Sequence, residues 1–92
     1  MMGQGDTALH LAAASGDINR MRHEIDNNCD VNIVNTDGRA PAHFAAIKCK
    51  EQSDVNERGK ILEGLGFLLK RGANFDLADN DGKTPRDYLP DW

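Results

Sequence analysis

Two stretches decide how this chain is read. Gly5-Asp6-Thr7-Ala8-Leu9-His10-Leu11-Ala12-Ala13 is followed 33 residues later by Gly38-Arg39-Ala40-Pro41-Ala42-His43-Phe44-Ala45-Ala46. The glycine, the histidine and the closing pair of alanines keep their places in both. A third copy, Gly82-Lys83-Thr84-Pro85-Arg86-Asp87-Tyr88, begins 44 residues after the second, one period plus an insertion of 11. Between the copies a second element recurs: Asn28-Cys29-Asp30-Val31-Asn32 matches Gly72-Ala73-Asn74-Phe75-Asp76. Two motifs in constant order at a period near 33 signal a stack of like units.

The residues of each unit have local reasons to be where they are. Thr7 and Thr84 are good helix N-caps, Pro85 suits a first helical position, and Thr84-x-x-Asp87 has the spacing of a capping box. Leu9, Ala12 and Ala13 form an apolar stripe at helical spacing, with side chains small enough for close helix packing. Gly16 breaks that helix. A second stripe follows at Ile18, Met21 and Ile25, and Asn27-Asn28 ends it. Each unit is therefore predicted as helix, turn, helix, then an extended loop closing in Asp-Gly or its equivalent.

These residues resemble the ankyrin repeat, whose pattern opens Gly-x-Thr-Pro-Leu-His and closes Gly-Ala-Asp-Val-Asn. The resemblance covers nearly the whole chain. It implies an all-α fold, an ankyrin-type solenoid of stacked helix-turn-helix repeats with about five helices and an insertion in the middle repeat. Residues 1–92 form one domain in this reading. Repeat 1 covers about 3–35, repeat 2 about 36–78 with the insertion within about 47–60, and a partial repeat 3 about 79–92. The chain also departs from the pattern. Ala40 replaces the capping threonine, at a typical cost of about 0.5–2 kcal/mol. His23 and Glu24 stand where the family prefers leucines, which gives either a solvated end face or a partner-binding edge. In the insertion, Val55, Leu62, Leu65 and Leu69 predict an outer helix extended back to about Asp54, with Ser53 or Asp54 as its cap. Gly59, Gly64 and Gly66 weigh against it by about 1 kcal/mol each, and a lengthened loop is the alternative. Pro90 stops the last helix, and no second helix follows it before Trp92. Tyr88, Leu89 and Trp92 then pack on their own chain or across a homodimer contact.

Composition narrows the function. The 92 residues carry a net charge of −4, with 39% hydrophobic and 28% charged residues, the make-up of an ordinary globular domain. The acidic balance has the wrong sign for a nucleic-acid binder, and residues 1–46 and 47–92 are both acidic, so no basic arm exists. No apolar run approaches the roughly 20 residues of a membrane helix, and no secretory leader opens the chain. An intracellular location is expected, cytoplasmic with the nucleus as the alternative, or a host cell for a secreted effector. Two cysteines do not make a disulfide scaffold. Cys29 is expected as a buried free thiol and Cys49 as a more exposed one.

No catalytic or metal constellation appears, and neither an enzyme nor a cofactor is expected. The chain has no His-x-x-x-His, Cys-x-x-Cys, Gly-x-Ser-x-Gly or P-loop motif. Asp79-Asn80-Asp81-Gly82 has a faint likeness to a calcium loop but lacks the closing glutamate. Asp37, Asp79 and Asp81 read instead as turn residues. The family resemblance makes His10 and His43 structural, tying neighbouring turns together, and leaves His23 exposed on a polar helix.

The same resemblance implies the function, a non-catalytic protein–protein interaction module. Its loop tips and the exposed ends of its inner helices meet the partner. Those positions are Asp6, Ala14 and Ser15 in the first unit, Thr36, Asp37, Arg39, Ile47 and Lys48 in the second, and Asn80, Asp81 and Lys83 in the third, with Val34 beside the second tip. Arg39 and Ile47 are expected to dominate, since interface energy concentrates in arginine and apolar anchors. Replacing both is expected to abolish binding with little change in melting temperature. The alternative is a structural subunit of a homo-oligomer or larger complex, its short end buried by another chain.

Overall fold

The structure is a computed structural model that describes residues 5–89. Five helices run along these residues: α1 (Ala8–Ser15), α2 (Ile18–Asp26), α3 (Pro41–Glu51), α4 (Val55–Lys70) and α5 (Pro85–Tyr88). Short turns reverse the chain between α1 and α2 and between α3 and α4. The inner helices α1, α3 and α5 stack in a row, and α2 and α4 form a second, outer layer. No strand occurs among the described residues.

Each inner helix starts by the same device. The Thr7 hydroxyl accepts from the His10 N–H at 3.3 Å, and the Thr7 N–H donates to His10 Nδ1 at 3.0 Å. At α3 the hydroxyl is missing, but the Ala40 N–H still donates to His43 Nδ1 at 3.0 Å, so half of the reciprocal cap survives. At α5, Thr84 and Asp87 complete an ordinary capping box.

The helix ends are equally specified. Gly16 closes α1 with φ 74°, a left-handed conformation that favours glycine. A Cβ there would also lie 2.9–3.0 Å from the α4 backbone at Lys60 and Ile61, so two independent constraints meet at one residue. Asn28 takes the same left-handed role after α2 that Gly72 takes after α4.

The core lies between the layers. Ala12, Ala13, Ala42 and Ala45 are buried where α1 meets α3, and their small side chains set the close inner packing. Leu9, Met21, Ile61, Leu65 and Leu68 fill the space toward the outer layer. The front of α2 is polar because nothing among the described residues packs on it. Arg20 and Glu24 close it with a 3.0 Å ion pair, at the positions where α4 has Gly64 and buried Leu68 against α2. Gly64 has a steric reason: a Cβ there would meet the Met21 methyl at 2.7 Å.

Ten of the 11 extra residues of the middle unit are helical. Compared with α1 and α2, three lengthen α3, seven lengthen α4 and one lengthens their connection. Asp54 caps α4, accepting from the Asn56 and Glu57 N–H groups. The added turn of α3 carries Cys49 into the core, fully buried, contrary to the exposed thiol that its polar sequence neighbours implied. Cys29 is half-buried rather than enclosed. Both thiols are free, and burial pushes both above the usual thiol range.

Glycine substitutions separate these roles. Gly59→Ala and Gly66→Ala, in α4 with open space at the Cβ position, should each stabilise by about 0.5–1 kcal/mol. Gly16→Ala should destabilise by more than about 1 kcal/mol, through its positive φ and the backbone contact. Urea denaturation of the three variants checks both signs.

Candidate protein-interaction site

The loops between units are built on paired turns. Asn35 Oδ1 accepts from the N–H groups of Asp37 and Arg39 at 2.9 and 3.0 Å. Asp79 Oδ1, 44 residues on, accepts from those of Asp81 and Lys83 at 2.9 and 3.0 Å. Gly38 and Gly82 supply the left-handed residue of each turn, and a Cβ at Gly38 would also strike the neighbouring tip at Asn80. The tips therefore touch: the Asn80 amide donates to the Thr36 carbonyl at 2.9 Å, and the Asn35 amide donates to Asp6 at 2.7 Å.

The two motif histidines fasten helices to loops. With Nδ1 occupied as an acceptor, Nε2 carries the proton and donates, from His10 to the Arg39 carbonyl at 2.8 Å and from His43 to the Lys83 carbonyl at 3.0 Å. Each buried ring thus bonds its own helix start and the next unit's loop. Burial lowers both pKa values below 6.5, only partly opposed by the loop carbonyls and by Asp6 or Asp79.

A second clasp joins the middle and last units. The Asp79 side chain is fully buried, and its Oδ2 accepts from the Tyr88 hydroxyl at 2.6 Å and from Arg39 Nε at 3.3 Å. Arg39 Nη2 also donates to the Tyr88 oxygen at 3.3 Å. Burial by itself would raise the Asp79 pKa, but the bonds from Tyr88, the Lys83 N–H, Arg39 and the Asp81 N–H together hold it at about 2. Burial raises the Tyr88 pKa, and the bond to Tyr88 is the main cause that raises Arg39.

Beside this clasp opens a groove of about 150 Å³ lined by Arg39, Phe44, Ile47 and Lys48. Phe44, Ile47 and Lys48 share one side of α3 by their spacing, and Arg39 comes from the adjoining loop. The Phe44 ring packs edge-on against His10, with centroids 4.8 Å apart.

The twelve residues proposed from sequence fall into distinct environments. Arg39, Ile47 and Lys48 come together in the groove. Ala14 and Ser15 hold the corresponding end of α1, with the Ser15 hydroxyl donating to the Ala12 carbonyl. Asp37, Asp81, Lys83 and Thr36 are exposed at the tips, and Val34 is exposed beside them. Asp6 and Asn80 are engaged between loops. Arg39 is the main correction. Its guanidinium is held by Asp79 and Tyr88, so replacing it loosens the fold as well as the surface, against the expectation of an unchanged melting temperature. Sequence reading missed Phe44, which its place three residues before Ile47 could have indicated. It also missed the clasp at Asp79, because nothing local marks a turn aspartate as the partner of an arginine 40 residues away. Tyr88 and Leu89 pack on their own chain, and Trp92 lies outside the described residues.

The ankyrin-repeat family pattern matches residues 4–33. The chain is 30% identical over 83 residues to ankyrin repeat domain-containing protein 37 of Xenopus tropicalis, covering 90% of this chain and 44% of that protein. The chain belongs to the ankyrin-repeat family. This ankyrin-repeat chain is also 29% identical over 110 residues to the cyclin-dependent kinase 4 inhibitor B of Rattus norvegicus, covering 95% of the chain and 85% of that protein. It is 35% identical over 83 residues to the E3 ubiquitin-protein ligase hecd-1 of Caenorhabditis elegans, covering 90% of the chain and 3% of the ligase. The chain thus spans less than half the length of the frog relative and a small fraction of the nematode one. Among the described residues no group of three or more histidine, cysteine or acidic side chains is placed to hold a metal ion, and no helix is long and apolar enough to cross a membrane.

Two predictions follow from the bonded loops of this ankyrin-repeat chain. The histidine pKa values are depressed in the fold, so the stability they contribute is complete above pH 6.5 and is lost as pH falls through their folded values. Urea denaturation from pH 8 to pH 5 should show a plateau and then a fall beginning near 6.5; a level curve would contradict neutral rings. Asp79→Ala, which strands buried donors, should cost about 2–4 kcal/mol, whereas exposed Asp37→Ala should stay within about 0.5 kcal/mol. Both are measured by the same denaturation.

Proposed function

We propose that this chain is a non-catalytic protein-interaction module of the cell interior, binding its partner along the loop tips and the concave inner-helix face. The Arg39–Phe44–Ile47–Lys48 groove is the observation that carries the reading. It joins an apolar floor to a cationic rim, and it stands on helices and bonded loops that need no ordering on binding. Phe44 and Ile47 serve as the apolar anchor. Lys48, Lys83 and the acidic tips Asp37 and Asp81 set partner choice and approach. Asp6, Asn80 and Arg39 keep the tips in register, and Ala14, Ser15, Val34 and Thr36 extend the face. A protein whose name describes it as an inhibitor of cyclin-dependent kinase 4 is similar over most of its length, which supports a role as inhibitor or adaptor.

The test combines capture with direct binding. The wild-type chain is immobilised in a cell extract, its partner identified and the affinity measured with purified components. Ile47→Glu combined with Lys48→Glu should weaken that affinity by about 30-fold or more and leave the melting temperature within a few degrees. Unchanged affinity in this double variant would remove the groove from the interface.

A further inference from the structure

Helix α4 carries a second surface, away from the groove. Val55, Gly59, Leu62, Gly66 and Leu69 are spaced four, three, four and three residues apart, which aligns them along one side of a helix. That side is turned away from α2. The α4 residues that meet α2 are Gly64, against the Met21 methyl, Phe67, 5.7 Å under the Arg22 guanidinium, and Arg71, 3.5 Å from Asp26. Val55 is 76% and Leu69 58% exposed, Leu62 is half-buried, and nothing lies within 4 Å of a Cβ built on Gly59 or Gly66. The stripe is apolar, open at Val55, Gly66 and Leu69, with Leu62 between them partly packed on the core.

The packing of the outer layer indicates what this stripe can receive. α2 presents Ile18, Arg22 and Ile25 at the positions where α4, 44 residues on, presents Leu62, Gly66 and Leu69. Ile18 and Ile25 pack into the core, and Arg22 lies over Phe67 of α4. The outward side of α4 therefore repeats the apolar part of the α2 surface, with a glycine in place of the arginine. Close approach of another helix at Gly59 and Gly66 is unobstructed.

Charges beside the stripe choose the occupant. Arg58 and Glu63 stand on its opposite flanks, five residues apart. This is the spacing at which a residue on one helix meets its opposite charge on the other in a parallel two-helix seam. Arg58 is held in place by two hydrogen bonds to the Gln52 carbonyl, at 3.1 and 2.8 Å. Between two copies of α4 in parallel, Arg58 of each faces Glu63 of the other. An antiparallel pair would bring Glu63 against Glu63.

We propose that α4 is a self-association surface through which two copies of this chain pair in parallel. Val55, Leu62 and Leu69 meet their counterparts, and Gly59 and Gly66 set the separation. The concave groove lies elsewhere on the molecule, so this pairing and the partner-binding role stand or fall separately.

Sedimentation equilibrium of the 92-residue chain from about 1 μM to about 1 mM tests the proposal by mass action. The mass should rise from one chain to two. Gly66→Arg exchanges glycine for a better helix former with room for its side chain, and it should stay monomeric with an undiminished melting temperature. Glu63→Arg should weaken the dimer at least about tenfold, because both cross-pairs become repulsive. Val55→Cys should yield an oxidised dimer linked between the two residues 55, as only a parallel pair allows. A wild-type chain that stays monomeric throughout, a Gly66→Arg variant that pairs as tightly as wild type, or a Val55→Cys dimer that does not link at position 55 would each overturn the proposal.

Discussion

One neutral imidazole on each of α1 and α3 holds this structure in register. At His10 and again at His43 the ring accepts from the backbone at its own helix start and donates to a carbonyl in the next unit's loop. Only the neutral form can do both, and burial keeps it neutral. The bond fixes where each loop stands relative to the preceding helix. That in turn fixes which side of the next helix meets the core and which side faces outward. The groove, the tip contacts and the stacking of the alanine faces all follow from this one placement.

The last unit is held differently. Its loop carbonyl at Lys83 accepts from His43, but its own inner helix begins with a Thr–Asp capping box instead of a histidine. Its anchor is the buried Asp79 carboxylate, which gathers two backbone N–H groups, a tyrosine hydroxyl and an arginine. A buried carboxylate is costly unless its oxygens are satisfied, and here both are. The homologous position in the preceding loop is Asn35, which organises the same turn but turns its amide toward Asp6 instead of toward an arginine. One turn geometry thus serves two electrostatic designs.

The insertion shows how a repeat absorbs extra sequence. The added residues prolong two helices that already have hydrophobic partners and caps, so backbone hydrogen bonds continue without a loop to satisfy. Gly64 lets the terminal methyl of Met21 lie close against α4, while Gly59 and Gly66 have no such neighbour. The three glycines that weigh equally against a helix in a propensity count have different physical causes, visible only once the neighbours are in place.

Sequence by itself determined the helical solenoid. The period, the caps at Thr7 and Thr84, the Gly16 stop and the alanine stripes are local or periodic signals, and each forms its element through contacts near in sequence. It also placed Arg39, Ile47 and Lys48 among the outward positions, because those follow from repeat phase. The tertiary structure alone decided what joins across units: the Arg39–Asp79–Tyr88 clasp, Phe44 beside Ile47, the burial of Cys49 and the open stripe of α4. These depend on distances between residues 3 to 49 positions apart, which periodicity constrains but does not set. A charge pair or a groove exists only when two surfaces have been brought to within a few ångströms, and that is a property of packing.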